Sequence, residues 1–451
     1  MKKNLRVWLL GKLPGIDIIH VLSQRPYFYF SLSVIFSQIA FNMLNLILIF
    51  LIFYLTSSNF SVAILVLIFL IPQIIFSFIG GVVADRINKR KILIIGNILR
   101  AGALIILFFN IHSAIVIYLV ALLVAITTQF YTPAEPPLIP LLIKREHLLA
   151  ANSVFSLNLF GSILVAYVLA GPAVTLLGRT HVFILISFLF LCASLSAFFV
   201  PASKKPSITL NGFFADVRRS IRQELHDSFS LLRSSRILRG PFFLLAFSQS
   251  IIMILATVIP GYAKTVLHIP TEDVSLLLFT PAALGMMITA LVVGSYSVSA
   301  YNRNRLMNAG LFISGLSLAV FPFTVTLAQS QSIQVLNTLF SIHINAETFV
   351  LILAFFAGVG NAILFIPSQA VIQEHTPEDF RSKIYGLLFA MVGIFSLIPV
   401  LLAGGFADIF GTKFVLIILG VGILLVGVLR IEFLNYNISL YKKIFRKQKD
   451  S

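Results

Sequence analysis

Long apolar runs separated by short polar breaks make up most of the chain. Twelve runs, at roughly 27–55, 60–84, 91–110, 114–137, 149–177, 181–200, 240–265, 271–299, 305–328, 346–375, 382–410 and 412–434, stand out. Each is long enough to cross a bilayer, since a spanning helix needs about 20 apolar residues. Hydrocarbon offers backbone groups no water, so each run satisfies its own N–H and C=O groups as a helix. The pattern predicts an all-α membrane protein with twelve transmembrane helices in two pseudo-symmetric six-helix bundles. Its expected parts are an N-terminal segment (1–25), a first bundle (26–200), a linker (201–239), a second bundle (240–434) and a basic tail (435–451). In the linker, Phe214, Val217, Ile221, Leu225, Phe229 and Leu232 recur at helical intervals among arginines. That spacing predicts a basic amphipathic helix lying on a membrane surface.

The two bundles repeat one another. Phe36-Ser37-Gln38 in the first run returns 211 residues later as Phe247-Ser248-Gln249. Residues 87–91 (INKRK) align with 301–305 (YNRNR), 214 residues on. Pro133 matches Pro367 at an offset of 234, and Gly171 and Gly178 match Gly404 and Gly411 at 233. The offset jumps between the ninth and tenth runs, where residues 328–346 form an insertion.

Composition agrees with this reading. The chain is 59% hydrophobic and 11% charged, against roughly 25% charged in soluble domains. Its net charge of +17 is distributed by side rather than gathered into a nucleic-acid face. If the first interhelical loop is outside, the outer loops hold only Arg179, Lys264 and Lys413 as cations, and all the others except Arg100, which lies within the third run, fall inside. This asymmetry predicts cytoplasmic termini, contact of the basic segments with anionic membrane lipids and no nucleic-acid partner. The N-terminus has only a short apolar patch, broken by Gly11, Lys12 and Pro14, so no cleavable signal is expected. The single cysteine, Cys192, excludes an internal disulfide. No two of the eight histidines have metal-ligand spacing on one helix, and no phosphate-binding loop appears, so neither a cofactor nor direct ATP drive is expected.

The break after the second run, GGVVADRINKRK, carries the most specific pattern. Gly81, Asp85, Arg86, Lys89 and Arg90 resemble the signature loop of the major facilitator superfamily. Asn88 stands where many members have glycine, and asparagine tolerates a left-handed turn better than most residues. The segments FYTPAEPPLIPLLIKREHLLAANS and QEHTPEDFRSKIYG resemble the secretion-effector, siderophore-exporter and macrolide-efflux branch. Ala170-Gly171-Pro172 resembles the exporters' fifth-helix motif, although Ala173, Val174 and Thr175 replace its following glycines.

The superfamily resemblance implies two halves that rock to give alternating access. It also implies a latch, in which Asp85 meets the N-terminal end of the eleventh helix near Arg381 and Lys383. Arg86, Lys89 and Arg90 either shape this loop or enforce orientation. The repeat gives Ser299 and Ala300 in place of Asp85 and Arg86, so the latch is expected on one side only. In this superfamily the first, fourth, seventh and tenth helices line the path. That points to Gln38, Asn42, Asn45, Thr127, Thr128, Gln129, Gln249 and Asn361 as path residues, the alternative being polar groups that bond one helix to another.

Four charged residues need separate readings. Glu135 is the candidate for a proton-linked site, because desolvation disfavours an ionised carboxylate. Its place near a helix end favours a plainer role at headgroup level, paired with Lys144 or Arg145. Arg100 either snorkels to the membrane surface or packs inside the bundle. Asp408 and Glu347 fall at outer helix ends and are expected to be solvated.

A path of amides, hydroxyls and aromatics with almost no fixed charge suits a small amphipathic substrate. A multiply charged substrate would need several cations there. The sequence therefore reads as a monomeric multi-pass transporter of a bacterial cytoplasmic membrane, exporting a small molecule, with a proton as the candidate coupling ion. A lipid or lysophospholipid flippase and an importer of the same fold stay open as alternatives. No clustered constellation supports an enzyme.

Overall fold

The computed structural model describes residues 20–144, 147–202, 229–270, 273–295, 300–331, 333–334, 345–376 and 378–449. Among them there is no strand. The helices are α1 (Arg25–Thr56), α2 (Asn59–Arg86), α3 (Lys89–Phe109) and α4 (Ala114–Tyr131), followed by a long stretch, Leu148–Phe198. As one helix of 51 residues that stretch would extend about 76 Å, far beyond a hydrocarbon core of about 30 Å. Gly178 breaks it with φ 78° and ψ 164°, leaving α5 (148–177) and α6 (179–198). The second half continues with α7 (Arg236–Tyr262), α8 (Thr280–Ser295), α9 (Ala300–Val320), α10 (Ala346–His375), α11 (Glu378–Phe410) and α12 (Thr412–Lys449). Eleven stretches have the length and apolarity to cross a membrane, and α5 and α6 share one of them. The predicted twelve-helix all-α membrane fold is therefore present. Much of the linker, 203–228, lies outside the described residues, so the amphipathic helix expected there is not described.

The repeat reappears in backbone angles. Positive φ among the described residues occurs at Ser57 (51°), Gly178 (78°), His268 (55°) and Gly411 (85°). Ser57 and His268 are 211 residues apart, and Gly178 and Gly411 are 233 apart. These are the offsets carried by the side-chain matches. Ser57 ends α1 and His268 ends the π-turn after α7. Gly178 and Gly411 turn the chain between α5 and α6 and between α11 and α12.

The repeat differs at its prolines. Pro367 sits within α10. Around its mate Pro133, α4 gives way to the tight turns Thr132–Ala134 and Pro136–Leu138, then the short helix Ile139–Leu142. Three prolines among five residues (133–137) remove three backbone donors, so a regular ladder cannot run through.

The chain forms two compact units. The first holds residues up to Ser57, Ile64–Phe229 and Tyr385–Leu397, and the second holds Ser58–Ala63, Ser230–Ile384 and Ile398 onward. α2 thus gives its first turn to the second unit, and α11 gives its middle to the first. In the first unit, side-chain hydroxyls reach carbonyls across helices. Tyr27 bonds to Ala151 O (2.5 Å), Ser33 to Ala193 O (2.9 Å), Ser187 to Ala101 O (3.1 Å) and Ser194 to Ile94 O (3.2 Å). In the second, the Tyr262 hydroxyl reaches Phe321 O (2.7 Å). Arg430 of α12 donates to Asn304 Oδ1 (2.9 Å) and to Asn308 on α9. Such bonds join membrane helices that gain nothing hydrophobic from leaving lipid. The outward surface is apolar, with Leu176 83% and Phe109 74% exposed, as lipid rather than water requires.

Gly178→Ala should destabilise the protein by about 1–3 kcal/mol, since that backbone region is nearly restricted to glycine. Gly102→Ala, where an added methyl meets open space, should be neutral or mildly stabilising. Apparent unfolding midpoints in detergent, compared under one protocol, check both.

Candidate functional site

A buried polar cluster in the first unit is built on α1, α3 and α4. Asn97 and Arg100 stand three residues apart on α3 and so share a face. Both are buried, at 0% and 1% exposure. Arg100 Nη1 donates to Ser37 Oγ on α1 (3.1 Å), and Ser37 Oγ donates to Asn97 Oδ1 (3.0 Å). The guanidinium carbon lies 4.2 Å from the centre of the Tyr131 ring, 5.7 Å from that of Phe190 and 5.9 Å from that of Phe41. Aromatic faces are the one apolar surface that attracts a cation. Gly96 leaves room for this ring, since a methyl there would come 3.2 Å from Tyr131 Cδ2.

Glu135 completes the cluster. Four residues beyond Tyr131, it lies between the two proline turns and is 1% exposed. It interacts electrostatically with both Arg100 and Tyr131. Glu135 Oε1, the Tyr131 hydroxyl, Asn97 Nδ2, and Arg100 Nε and Nη2 are all buried without a hydrogen-bond partner among the described residues. Glu135 is thus buried in the protein, and its charge partner is Arg100 rather than Lys144. Lys144 is exposed and Arg145 lies outside the described residues, whereas the carboxyl is turned into the protein toward Arg100. Arg100 likewise does not snorkel.

The second unit has only a remnant of this arrangement. Ser248, the repeat mate of Ser37, is fully buried and accepts a hydrogen bond from Asn361 Nδ2 (2.9 Å). By the 214 and 234 offsets, Arg100, Tyr131 and Glu135 correspond to Ser314, Phe365 and Gln369. The buried Arg100/Glu135 combination therefore has no counterpart at the repeat-related positions.

The expected path residues are partly buried, and several spend their polar groups locally. Asn42 Nδ2 donates to Gln38 O (2.7 Å), Thr127 to Leu123 O (2.8 Å), Thr128 to Val124 O (2.7 Å) and Gln129 Nε2 to Ala125 O (3.4 Å). Gln38, Asn45, Gln249 and Asn361 are intermediate in exposure. Sequence reasoning passed over Ser37, Asn97 and Ser248 as functional residues. The recurring Phe-Ser-Gln triplet and the Asn97/Arg100 spacing were the available signals.

Of the latch residues, the side chains of Gly81, Asp85, Arg86, Arg381 and Lys383 lie outside the described residues. Lys89 Nζ donates to Ala84 O (2.9 Å), and Arg90 lies over the Phe198 ring at 4.8 Å. Asn88 is not left-handed. At φ −58° it caps α3, its side chain accepting from Arg90 N (3.1 Å). A side-chain acceptor, rather than a glycine-like turn, is what this loop uses.

Two further acids were expected to be solvated. Glu347 is exposed in the first turn of α10. Asp408 is exposed too, yet it accepts hydrogen bonds from Ser58, Asn59 and Phe60 at the start of α2. On the second unit, Glu374 receives both guanidinium nitrogens of Arg303 (2.5 and 2.9 Å). That contact holds its carboxyl below the usual carboxylate range. Among the described residues, no three of His, Cys, Asp and Glu come together as metal ligands.

Comparison with known proteins agrees with this architecture. An uncharacterized MFS-type transporter of Bacillus subtilis (strain 168), YfiS, is 20% identical over 383 residues, covering 84% of this chain and 85% of the relative. A second from the same organism, YkuC, is 30% identical over 83 residues, 18% of this chain and 19% of its own. A crystal structure of a POT family transporter in complex with 5-aminolevulinic acid superposes with a TM-score of 0.70 at 12% identity, over 91% of this chain and 96% of that one. The nucleoside transporter NupG superposes at 0.69 and 11% identity, over 90% and 99%. These superpositions speak to the fold alone. The family model described as Major Facilitator Superfamily matches residues 30–342 and 332–437. Twelve helices in two repeated halves, and a family match over nearly the whole chain, make this protein a member of the major facilitator superfamily of membrane transporters.

Proposed function

We propose that this transporter exports a small amphipathic molecule by alternating access, and that Glu135 couples the cycle to proton movement. The observation that carries the coupling is the buried cluster of Arg100, Tyr131 and Glu135. An ionisable residue inside a membrane protein is costly and usually functional. Here a carboxyl and a guanidinium interact at about 1% exposure. Ionised, Glu135 neutralises Arg100. Once Glu135 takes a proton, the cluster carries an uncompensated positive charge among aromatic rings. The free energy of that change is large where the dielectric is low, so protonation can select between two conformations. Ser37 and Asn97 tie Arg100 to α1 and α3, which connects the charge change to helices proposed to flank the path.

The uncharged path supports the substrate class. Gln38, Asn42, Asn45, Thr127, Thr128, Gln129, Gln249 and Asn361 offer amides and hydroxyls without fixed charge. Several are already internally bonded, so they present a mildly polar, mostly apolar wall. The branch resemblance favours the outward direction. The asymmetry of cations favours both termini in the cytoplasm of a bacterial cell, with 26–200 and 240–434 as the rocking halves. Asp85, with Arg381 and Lys383, serves as the inner latch.

Transport in proteoliposomes, across a panel of amphipathic compounds with and without an imposed proton gradient, tests this reading. Glu135→Gln should remove gradient dependence while leaving exchange at equal pH. Dependence that persists takes Glu135 out of the coupling role. Asp85→Asn should slow turnover with substrate affinity largely kept, read as a change in kcat at constant KM. Arg100→Gln should destabilise the protein, because it leaves the Glu135 carboxyl without its countercharge. Members of one buried network couple by about 0.5–3 kcal/mol. The Arg100→Gln/Glu135→Gln double variant should therefore be more stable than the two single losses add up to, as measured by thermal unfolding.

A further inference from the structure

The cluster around Arg100 holds more hydrogen-bond donors than it uses. An arginine side chain has donors only. Nη1 is engaged by Ser37 Oγ (3.1 Å) and more loosely by Asn97 Oδ1 (3.5 Å), whereas Nε and Nη2 are buried and unbonded. Asn97 accepts from Ser37 through its carbonyl and leaves Nδ2 unbonded. The Tyr131 hydroxyl faces Ser37, Asn97 and Glu135 but forms a hydrogen bond with none of them. These unused donors share the cluster with one acid, Glu135, whose Oε1 is also unbonded.

All of these atoms belong to the first unit, and the Phe41 and Phe190 rings close in on the guanidinium. Polar atoms buried without partners are costly, and each calls for an explanation. A guanidinium, an amide N–H and a phenol O–H together suit an anion, because charge-assisted bonds to donors are the strong ones. Water fits less well. It brings protons that need acceptors, and the carbonyl of Asn97 is already used.

The repeat separates packing from binding at this place. Ser37 is kept as Ser248, and the Tyr131 ring is kept as Phe365. The unused donors are not kept. Asn97 corresponds to Leu311 and Arg100 to Ser314, and Phe365 lacks the hydroxyl. Packing three helices together needs the ring and the serine, and the second half retains only those.

We propose that this cluster binds one small monovalent anion, a halide or a carboxylate, when Glu135 is protonated. The inference rests on the coupling role of Glu135 given above. With Glu135 ionised, Arg100 is neutralised and a second anion is repelled. With Glu135 protonated, the cluster carries one positive charge, and an anion on the unused donors returns it to neutrality. Proton and anion therefore enter and leave together. The titratable groups that face Glu135 are Arg100 of α3 and Tyr131 of α4. α1 and α6 bring Ser37, Phe41 and Phe190 to the cluster, which do not titrate.

Thermal unfolding of the full chain in detergent tests this, with sodium chloride exchanged for sodium gluconate at constant ionic strength. Gluconate is too bulky for a site so buried. Chloride should raise the unfolding midpoint in acid buffer, since a ligand of the folded state stabilises it. The rise should shrink in alkaline buffer as Glu135 ionises. Glu135→Gln, neutral at every pH, should respond equally in both buffers. Tyr131→Phe, which reproduces the ring of the second half, should weaken chloride about tenfold, the factor for one charge-assisted hydrogen bond. Arg100→Gln should abolish the response, and if it does not fold, Tyr131→Phe carries the comparison. Glu347→Gln, an exposed acid on α10, should match the parent. Formate and hexanoate identify the source. Formate equal to hexanoate supports a free ion in the site, and tighter hexanoate supports the carboxylate head of an amphipathic substrate. Equal midpoints in chloride and gluconate, for the parent in acid and for Glu135→Gln, overturn the anion site. So does a full response in Tyr131→Phe. Neither result touches the coupling role, which gradient dependence in Glu135→Gln decides separately.

Discussion

Inside a bilayer, a polar group that finds no partner in the protein finds none at all. That constraint runs through every level of this structure. It makes the backbone helical and turns the hydroxyls of Thr127 and Thr128 back onto their own helix. It sends Ser33, Ser187 and Ser194 across to neighbouring helices. It also explains the surroundings of Arg100. A guanidinium that cannot reach water is held by a serine, by three aromatic faces and by the field of a nearby carboxyl. Not every group in that cluster is satisfied, which marks it as a place where the protein tolerates an energetic cost.

The two halves share a backbone plan and differ in chemistry. Their common ancestry of form is visible in paired positive-φ residues, where sterics admit few alternatives. Their divergence is visible where function is proposed. By the repeat offsets Arg100, Tyr131 and Glu135 correspond in sequence to Ser314, Phe365 and Gln369, and Asp408 to Thr175. A repeated backbone thus carries a different set of charged side chains in each half.

Much of the fold was legible in the sequence because hydrophobic length is a one-dimensional property. The boundary of α10 was read at 346–375 and is Ala346–His375. Gly178 and Gly411 were matched as letters, and both proved to be chain reversals with positive φ. The site was legible only in part. Glu135 was singled out, but its place near a helix end suggested headgroup depth. Three prolines break α4 there, and the side chain between the two turns is buried. Asn88 was read as a left-handed turn and is a helix cap. Asp408 is exposed, as its position at a helix end predicts, but its bonds to the start of α2 depend on what another helix brings near.

The sequence by itself determined the helix count, the repeat and the residues able to carry charge, since each follows from local composition or from spacing along the chain. Only the tertiary structure decided which charges meet. Arg100 and Glu135 are 35 residues apart in sequence, and Asp408 and Asn59 are 349 apart. Contacts of that kind depend on how helices pack, and hydrophobic periodicity does not encode which polar side chain will find which partner.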